Sequence, residues 1–221
     1  MTRRTDPPHL VFEKTLWRDG LSLIAGMDEA GRGAIAGPVA VGAVVLPGGD
    51  THLLARLACC RDSKQLTPRQ RESCAPLIKE IARVWAVAYA SAEEVDALGI
   101  VRATRLAGAR ALEALDTQPQ FLLQDFRLEL PECELPQASI VRGDALCLSI
   151  AAASVLAKTA RDALMRQLAQ RYRGYGLEHN KGYGTRAHRS ALRRLGYSPI
   201  HRTSFTLKGI CIPQHHDLRK V

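Results

Sequence analysis

The sequence predicts a mixed α/β sheet whose parallel strands come late in the chain. Two observations carry this reading. Short apolar runs at residues 21–27, 39–46 and 83–90 read as buried strands clustered in the first half. The later runs, 121–124 and 139–141, alternate with stretches of helical composition, the order expected of parallel pairing. The first two strands are joined through Gly31, Gly33, Gly37 and Pro38, a tight connection, and Pro47-Gly48-Gly49 closes the second. Thr67 is placed as an N-cap, with Pro68 at the first helical position and Gln70 completing a capping box. Ser91 and Glu94 form a second box, opening a helix that ends near Gly99. Residues 101–115 are rich in alanine and leucine, hence helical. Residues 146–172 are helical with one small, apolar side, on which Ala151 to Ala153 read as core. Thr185 caps a last helix, 186–195.

The chain has 221 residues, enough for one domain with its own core. Its composition, 46% hydrophobic and 24% charged, is that of an ordinary globular protein. Thirty-one Lys and Arg against 22 Asp and Glu give a net charge of +9, which favours polyanionic partners. No apolar run approaches the ~20 residues needed to span a bilayer, and residues 1–20 are polar rather than leader-like. A cytoplasmic monomer with no membrane role is expected. None of the six cysteines forms a C-x-x-C pair or zinc-ligand spacing with histidine, so reduced thiols are expected.

Asp28-Glu29, Asp125 and Asp144 follow strand-like runs, and functional groups gather at the carboxyl ends of strands. Carboxylates brought together there repel one another unless a cation intervenes. Oxygen-only ligands point to a hard cation, Mg2+ or Mn2+. Adjacent residues of a regular strand face opposite sides of the sheet. Asp28 and Glu29 therefore share a site only if the strand ends or bends, and Gly31-Arg32-Gly33 makes that plausible. From spacing alone, a pair of solvated strand-end acids is the more ordinary reading.

Residues 26–33 (Gly26-Met27-Asp28-Glu29-Ala30-Gly31-Arg32-Gly33) and Gly37-Pro38-Val39 resemble the opening of the ribonuclease HII family. So do Asp62-Ser63-Lys64-Gln65-Leu66, Arg142-Gly143-Asp144, the run from Ser149 to Lys158, Lys181-Gly182-Tyr183-Gly184-Thr185 and Pro199-Ile200-His201-Arg202. These blocks keep the family's order and span nearly the whole chain. The resemblance implies a ribonuclease H-like fold, a five-stranded mixed sheet flanked by helices with a short C-terminal helical extension. It implies a polar tail over 1–20, a catalytic domain over 21–205 and a tail over 206–221. It further implies that Asp28, Glu29, Asp125 and Asp144 are catalytic and metal-binding, with two Mn2+ or Mg2+ ions in the catalytic complex. At Asp125 the chain departs from the pattern, carrying Phe126 where the family commonly has glycine; Asp116 and Asp162 are the alternatives.

The resemblance also implies an endonuclease that cuts the RNA strand of RNA–DNA hybrids. Single ribonucleotides embedded in duplex DNA would be incised on their 5′ side, leaving a 3′-hydroxyl and a 5′-phosphate. Gly31, Arg32 and Gly33 would sense the ribose 2′-hydroxyl, because glycine lets backbone approach a sugar closely. Tyr183 would pack at the RNA–DNA junction and Lys64 would face a phosphate. Lys181, Arg186 and Arg189 are candidate phosphate contacts in a basic C-terminal third. Read as residues alone, the glycines also suit an ordinary turn, and each cation an ordinary solvated side chain. Lys158 and Asp162, four apart on a helix, are expected to pair, and His201 to be structural. A ribonuclease HIII-like or other nuclease of this fold, and a non-catalytic hybrid-binding protein, are the competing readings. Metal-dependent cleavage of a labelled hybrid separates the last from the others.

Overall fold

A computed structural model of the chain describes residues 7–60, 66–126 and 128–206. Its elements run in order: α1 (Val11–Arg18), β1 (Ile24–Ala30), β2 (Val39–Val45), α2 (Leu53–Arg56), α3 (Pro68–Ile81), β3 (Val84–Ala90), α4 (Ala92–Leu98) and α5 (Ile100–Glu113). Then come β4 (Phe121–Asp125), β5 (Gln137–Ile140), α6 (Gly143–Leu146), α7 (Leu148–Arg171), α8 (Leu177–Asn180) and α9 (Arg186–Leu195). The strands form one five-stranded sheet in the order β3-β2-β1-β4-β5. β1, β2 and β3 pair antiparallel, while β1–β4 and β4–β5 pair parallel. The mixed sheet expected from the sequence is thus observed, and α8 and α9 supply the helical extension.

Alternation along the strands sorts the core into two layers. Ala25, Met27, Val39, Val41, Ala43 and Val45 turn to one face and meet Ala103, Ala107, Ala111 and Leu112 of α5. Val44 turns to the other face, where α3 and α7 bring Ile78, Ala152, Val155 and Leu156. Small residues let α7 lie directly on the sheet. A Cβ at Gly26 would stand 2.2 Å from the Ser149 carbonyl carbon, and one at Gly42 2.4 Å from the Ala153 oxygen. Overpacking of this kind costs roughly 1–3 kcal/mol. Both expected capping boxes are present, Thr67 with Gln70 and Ser91 with Glu94.

Four features depart from the sequence reading. β1 does not stop before the acids: Asp28 and Glu29 lie inside it, paired with Gly42 and Val41 of β2. Val11–Arg18, within the polar N-terminal segment, is a packed helix. Its buried Glu13 accepts the Ser149 N–H (2.8 Å) and the Cys147 thiol (3.1 Å), satisfying donors at the start of α7. Lys158 and Asp162 do not pair with each other. Lys158 reaches Asp28 across the α7–sheet interface (3.4 Å), while Asp162 takes Arg71 of α3 (3.1 Å). Helical spacing allows an i,i+4 pair but does not compel one where tertiary partners compete.

The cysteines also differ from expectation. The turn after α2 folds back on α3, bringing the Cα atoms of Cys59 and Cys74 to 5.7 Å, and the two are disulfide-bonded. The partners lie 15 residues apart, so no local cysteine spacing marks the bond. Cys60, Cys133 and Cys147 are free thiols, and burial pushes Cys60 up to about 12.

Candidate active site

Parallel pairing sets the geometry of the acids. Met27 stands opposite Gln124, so the next residues along each strand, Asp28 and Asp125, lie side by side at the same carboxyl edge. β4 ends there, which leaves that side of β1 open beyond Asp28. The longer Glu29 side chain can therefore reach the same cleft although it follows Asp28 in a continuing strand. Carboxylate oxygens of Asp28, Glu29 and Asp125 all lie within 4.8 Å of one another. The expectation that the strand must end or bend is replaced by this simpler arrangement, a neighbouring strand that ends level with Asp28.

Asp144 sits beside this trio but outside the 4.8 Å group. β5 leads into Arg142, whose left-handed backbone (φ 59°) turns the chain into α6. Gly143 then donates its N–H to Asp125 Oδ1 at 2.8 Å. Asp144, the next residue, is buried in the first turn of α6. Phe126, where glycine is common in the family pattern, projects into solvent at 56% exposure, so the larger residue costs no packing. Among the alternatives, Asp162 of α7 is engaged with Arg71 of α3, and Asp116 follows α5 at the other end of β4.

Electrostatics single out Glu29. Its carboxyl is pushed up to about 7, first by burial and then by the negative charges of Asp28 and Asp125, with Arg32 opposing. Arg32 lies 3.6 Å from it. Glu29 Oε2 is buried with no hydrogen-bond partner among the described residues. A crowded, under-satisfied set of oxygen donors suits a hard divalent cation, which would lower the repulsion that the fold imposes.

The acids open into a cleft of about 190 Å³ lined also by Gly31, Arg32, Gly33, Lys158 and Tyr183. Two buried arginines hold its glycine loop. Arg161 donates to the carbonyls of Pro38, Ala36 and Lys181, and Arg202 to those of Gly37, Arg32 and Ala34. Gly31 has φ +85°, and a Cβ there would fall 1.9 Å from Arg161 Nε. Gly33 also lines the cleft and has nothing within 4 Å of its Cβ position, so a side chain there meets no packed neighbour. The Gly182 carbonyl accepts the N–H groups of Ile35 and Ala36, joining the glycine loop to the segment that carries Tyr183. Tyr183 is 43% exposed, with the Arg161 guanidinium 5.5 Å from its ring centre.

Lys181 lies beyond the cleft lining; its ammonium donates to the Glu178 carbonyl. Arg186 and Arg189 project into solvent from α9. Lys64 lies outside the described residues. The sequence reading missed the organising role of Arg161 and Arg202. Arg161 read as one cation of the basic C-terminal third and Arg202 only as the end of the Pro199-Ile200-His201-Arg202 block, and a cation bonded to carbonyl oxygens has no marker in spacing.

Strand order and the placement of these acids put the molecule among the nucleases of ribonuclease H-like fold. Residues 25–208 match the family model described as ribonuclease HII. Ribonuclease HII of Chlorobium luteolum is 52% identical over 205 residues, 91% of this chain and 97% of that protein. Ribonuclease HII of Dehalococcoides mccartyi is 50% identical over 201 residues, 90% of this chain and 92% of that one. The crystal structure of the ribonuclease H2 from Pyrococcus horikoshii OT3 superposes with a TM-score of 0.71 at 26% identity, covering 82% of this chain and 93% of the other. The chain belongs to the ribonuclease HII family of endonucleases.

Proposed function

We propose that this protein hydrolyses the RNA strand of RNA–DNA hybrids and incises duplex DNA on the 5′ side of a single embedded ribonucleotide. The products carry a 3′-hydroxyl and a 5′-phosphate. The observation that carries this reading is the convergence of Asp28, Glu29 and Asp125 in one cleft with Gly31, Gly33 and Tyr183. Asp28, Glu29 and Asp125 would hold Mg2+ or Mn2+, with Asp144 completing the site for a second ion. Cations bound there supply an activated water and charge neutralisation at the leaving oxygen. Lys158 restrains Asp28 from the α7 side.

Arg161 and Arg202 shape the glycine loop, so that the backbone at Gly31 to Gly33 can reach a ribose hydroxyl. The Tyr183 ring packs on the neighbouring sugar. Lys64, Lys181, Arg186 and Arg189 contact phosphates. Residues 21–205 are assigned as the catalytic unit, with 1–20 and 206–221 flanking it. α1, inside the first flank, braces the start of α7.

The decisive experiment uses an end-labelled DNA duplex with one ribonucleotide, and a long hybrid, with Mg2+ or Mn2+ and mapped product ends. Incision 5′ to the lone ribonucleotide is the expected result. Cleavage of the long hybrid alone would remove the single-ribonucleotide assignment and leave a general hybrid nuclease.

A further inference from the structure

Two histidines are buried behind Tyr183 and take no part in the chemistry above. His188 is in the first turn of α9, and His201 is on the segment that pairs with the glycine loop. Their Nε2 atoms are 3.1 Å apart. His188 Nδ1 lies 3.0 Å from the Tyr183 carbonyl oxygen. His201 Nδ1 is 3.0 Å from the Ser198 backbone nitrogen, 2.8 Å from Ser198 Oγ and 3.3 Å from the Ser198 carbonyl.

These contacts fix both tautomers. A backbone N–H can only donate, so His201 Nδ1 accepts from Ser198 and its proton sits on Nε2. That proton points at His188 Nε2, which must accept, leaving the His188 proton on Nδ1. Nδ1–H then donates to the Tyr183 carbonyl. The chain of bonds has one direction: Ser198 N–H to His201, His201 to His188, His188 to Tyr183. Protonating either ring would set two N–H groups against each other. Burial lowers both rings from the ordinary histidine range, and the neighbouring His188 lowers His201 further, which keeps the pair neutral.

The pair also closes a circuit around the cleft. Beside His201, the Ile200 carbonyl accepts from Gly37, and Arg202 N–H donates to Ile35. Beside Tyr183, the Gly182 carbonyl accepts from Ile35 and Ala36. We propose that His188 and His201 are positioning residues that set Tyr183 in register with the glycine loop, and so govern discrimination of a lone ribonucleotide. This rests on reading Tyr183 as the group that packs at the RNA–DNA junction. A lone ribose depends on both elements meeting it at once, whereas a long hybrid offers neighbouring 2′-hydroxyls and a distinct shape.

The test exploits which nitrogen matters. Asparagine at 188 places an amide N–H where Nδ1 was and can still donate to Tyr183. Glutamine reaches toward Nε2 and cannot, although it is nearer to histidine in volume. On the single-ribonucleotide duplex, His188→Gln should lower kcat about tenfold, the worth of one hydrogen bond at the upper end of the usual range, with KM within about twofold. His188→Asn should restore most of that loss even if its Tm is lower. Hybrid cleavage should change less in both. In a Tyr183→Ala background, neither substitution should lower kcat further. Activities that simply follow Tm, or a His188→Gln loss undiminished in Tyr183→Ala, would overturn the proposal.

A Tyr183→Ala protein that cuts the lone ribonucleotide normally would instead overturn the reading of Tyr183 itself. Imidazole 15N shifts of the unsubstituted protein at pH 7 provide an independent check that does not depend on variants folding. Protonated Nδ1 on His188 and protonated Nε2 on His201 are expected. Any other assignment rules out the directed chain.

Discussion

At the level of single residues, the acid trio is a place where the fold accepts repulsion. Glu29 is raised to about 7 partly because Asp125 is close. Removing the Asp125 charge should therefore leave the metal-free protein at least as stable, because Asn keeps an oxygen to accept the Gly143 N–H. Cleavage, by contrast, should fall by roughly 10²–10³-fold, as for loss of a group that stabilises transition-state charge. Asp144→Asn should behave alike in activity. Thermal melts with a chelator, beside cleavage assays with metal, check both, and a folded Asp125→Asn protein of normal turnover would exclude that acid. The two cleft glycines make the opposite contrast. Gly31→Ala meets Arg161 from a positive-φ position and should lose about 1–3 kcal/mol of stability. Gly33→Ala should melt like the parent, yet cleave poorly at a single ribonucleotide because it adds a methyl to the lining of the cleft where the backbone is to meet the ribose.

At the scale of elements, capping chemistry and alternation were readable because their causes are local. Thr67, Gln70, Ser91 and Glu94 are N-cap and N3 residues in the structure as in the sequence. The acids were readable as strand-end groups, but their convergence was not. It depends on where β4 stops beside β1, a property of strand pairing rather than of either segment. Lys158 and Asp162 show the same limit, since their partners come from β1 and α3. The Cys59–Cys74 bond likewise depends on a turn folding back on α3. α9 is legible in both respects. His188, Ala191 and Leu192 face inward, while Arg186, Arg189, Arg193 and Arg194 face solvent. If Arg186 and Arg189 each neutralise one phosphate, removing both charges should reduce the slope of log affinity against log salt by about 2. Titrations of a catalytically inactive protein across several salt concentrations measure this. An unchanged slope would move the nucleic acid off α9.

Across the whole molecule, His201 and Glu29 oppose each other in the response to acid. An unfolded histidine titrates near 6.5, while His201 in the fold is lowered to about 4. Between those values the unfolded chain binds a proton that the folded chain refuses, so stability falls as pH drops from about 6.5 to about 4. His188, also lowered, adds to that loss. Glu29 acts in the other sense. It is raised from 4.5 to about 7, so the folded chain binds a proton before the unfolded chain does, and stability rises as pH drops through that window. The two slopes overlap and partly cancel in the metal-free protein. Glu29→Gln removes only the carboxylate contribution and leaves the other titrating groups as a common background. Its Tm should therefore fall more steeply than that of the parent as pH is lowered from about 6.5 to about 4.5. The two melting curves should converge at the acid end, where the parent's Glu29 is also neutral, and separate toward pH 8 with the variant higher. Parallel profiles from pH 4.5 to 8, both measured with a chelator, would show that Glu29 titrates in the fold as it does in the unfolded chain.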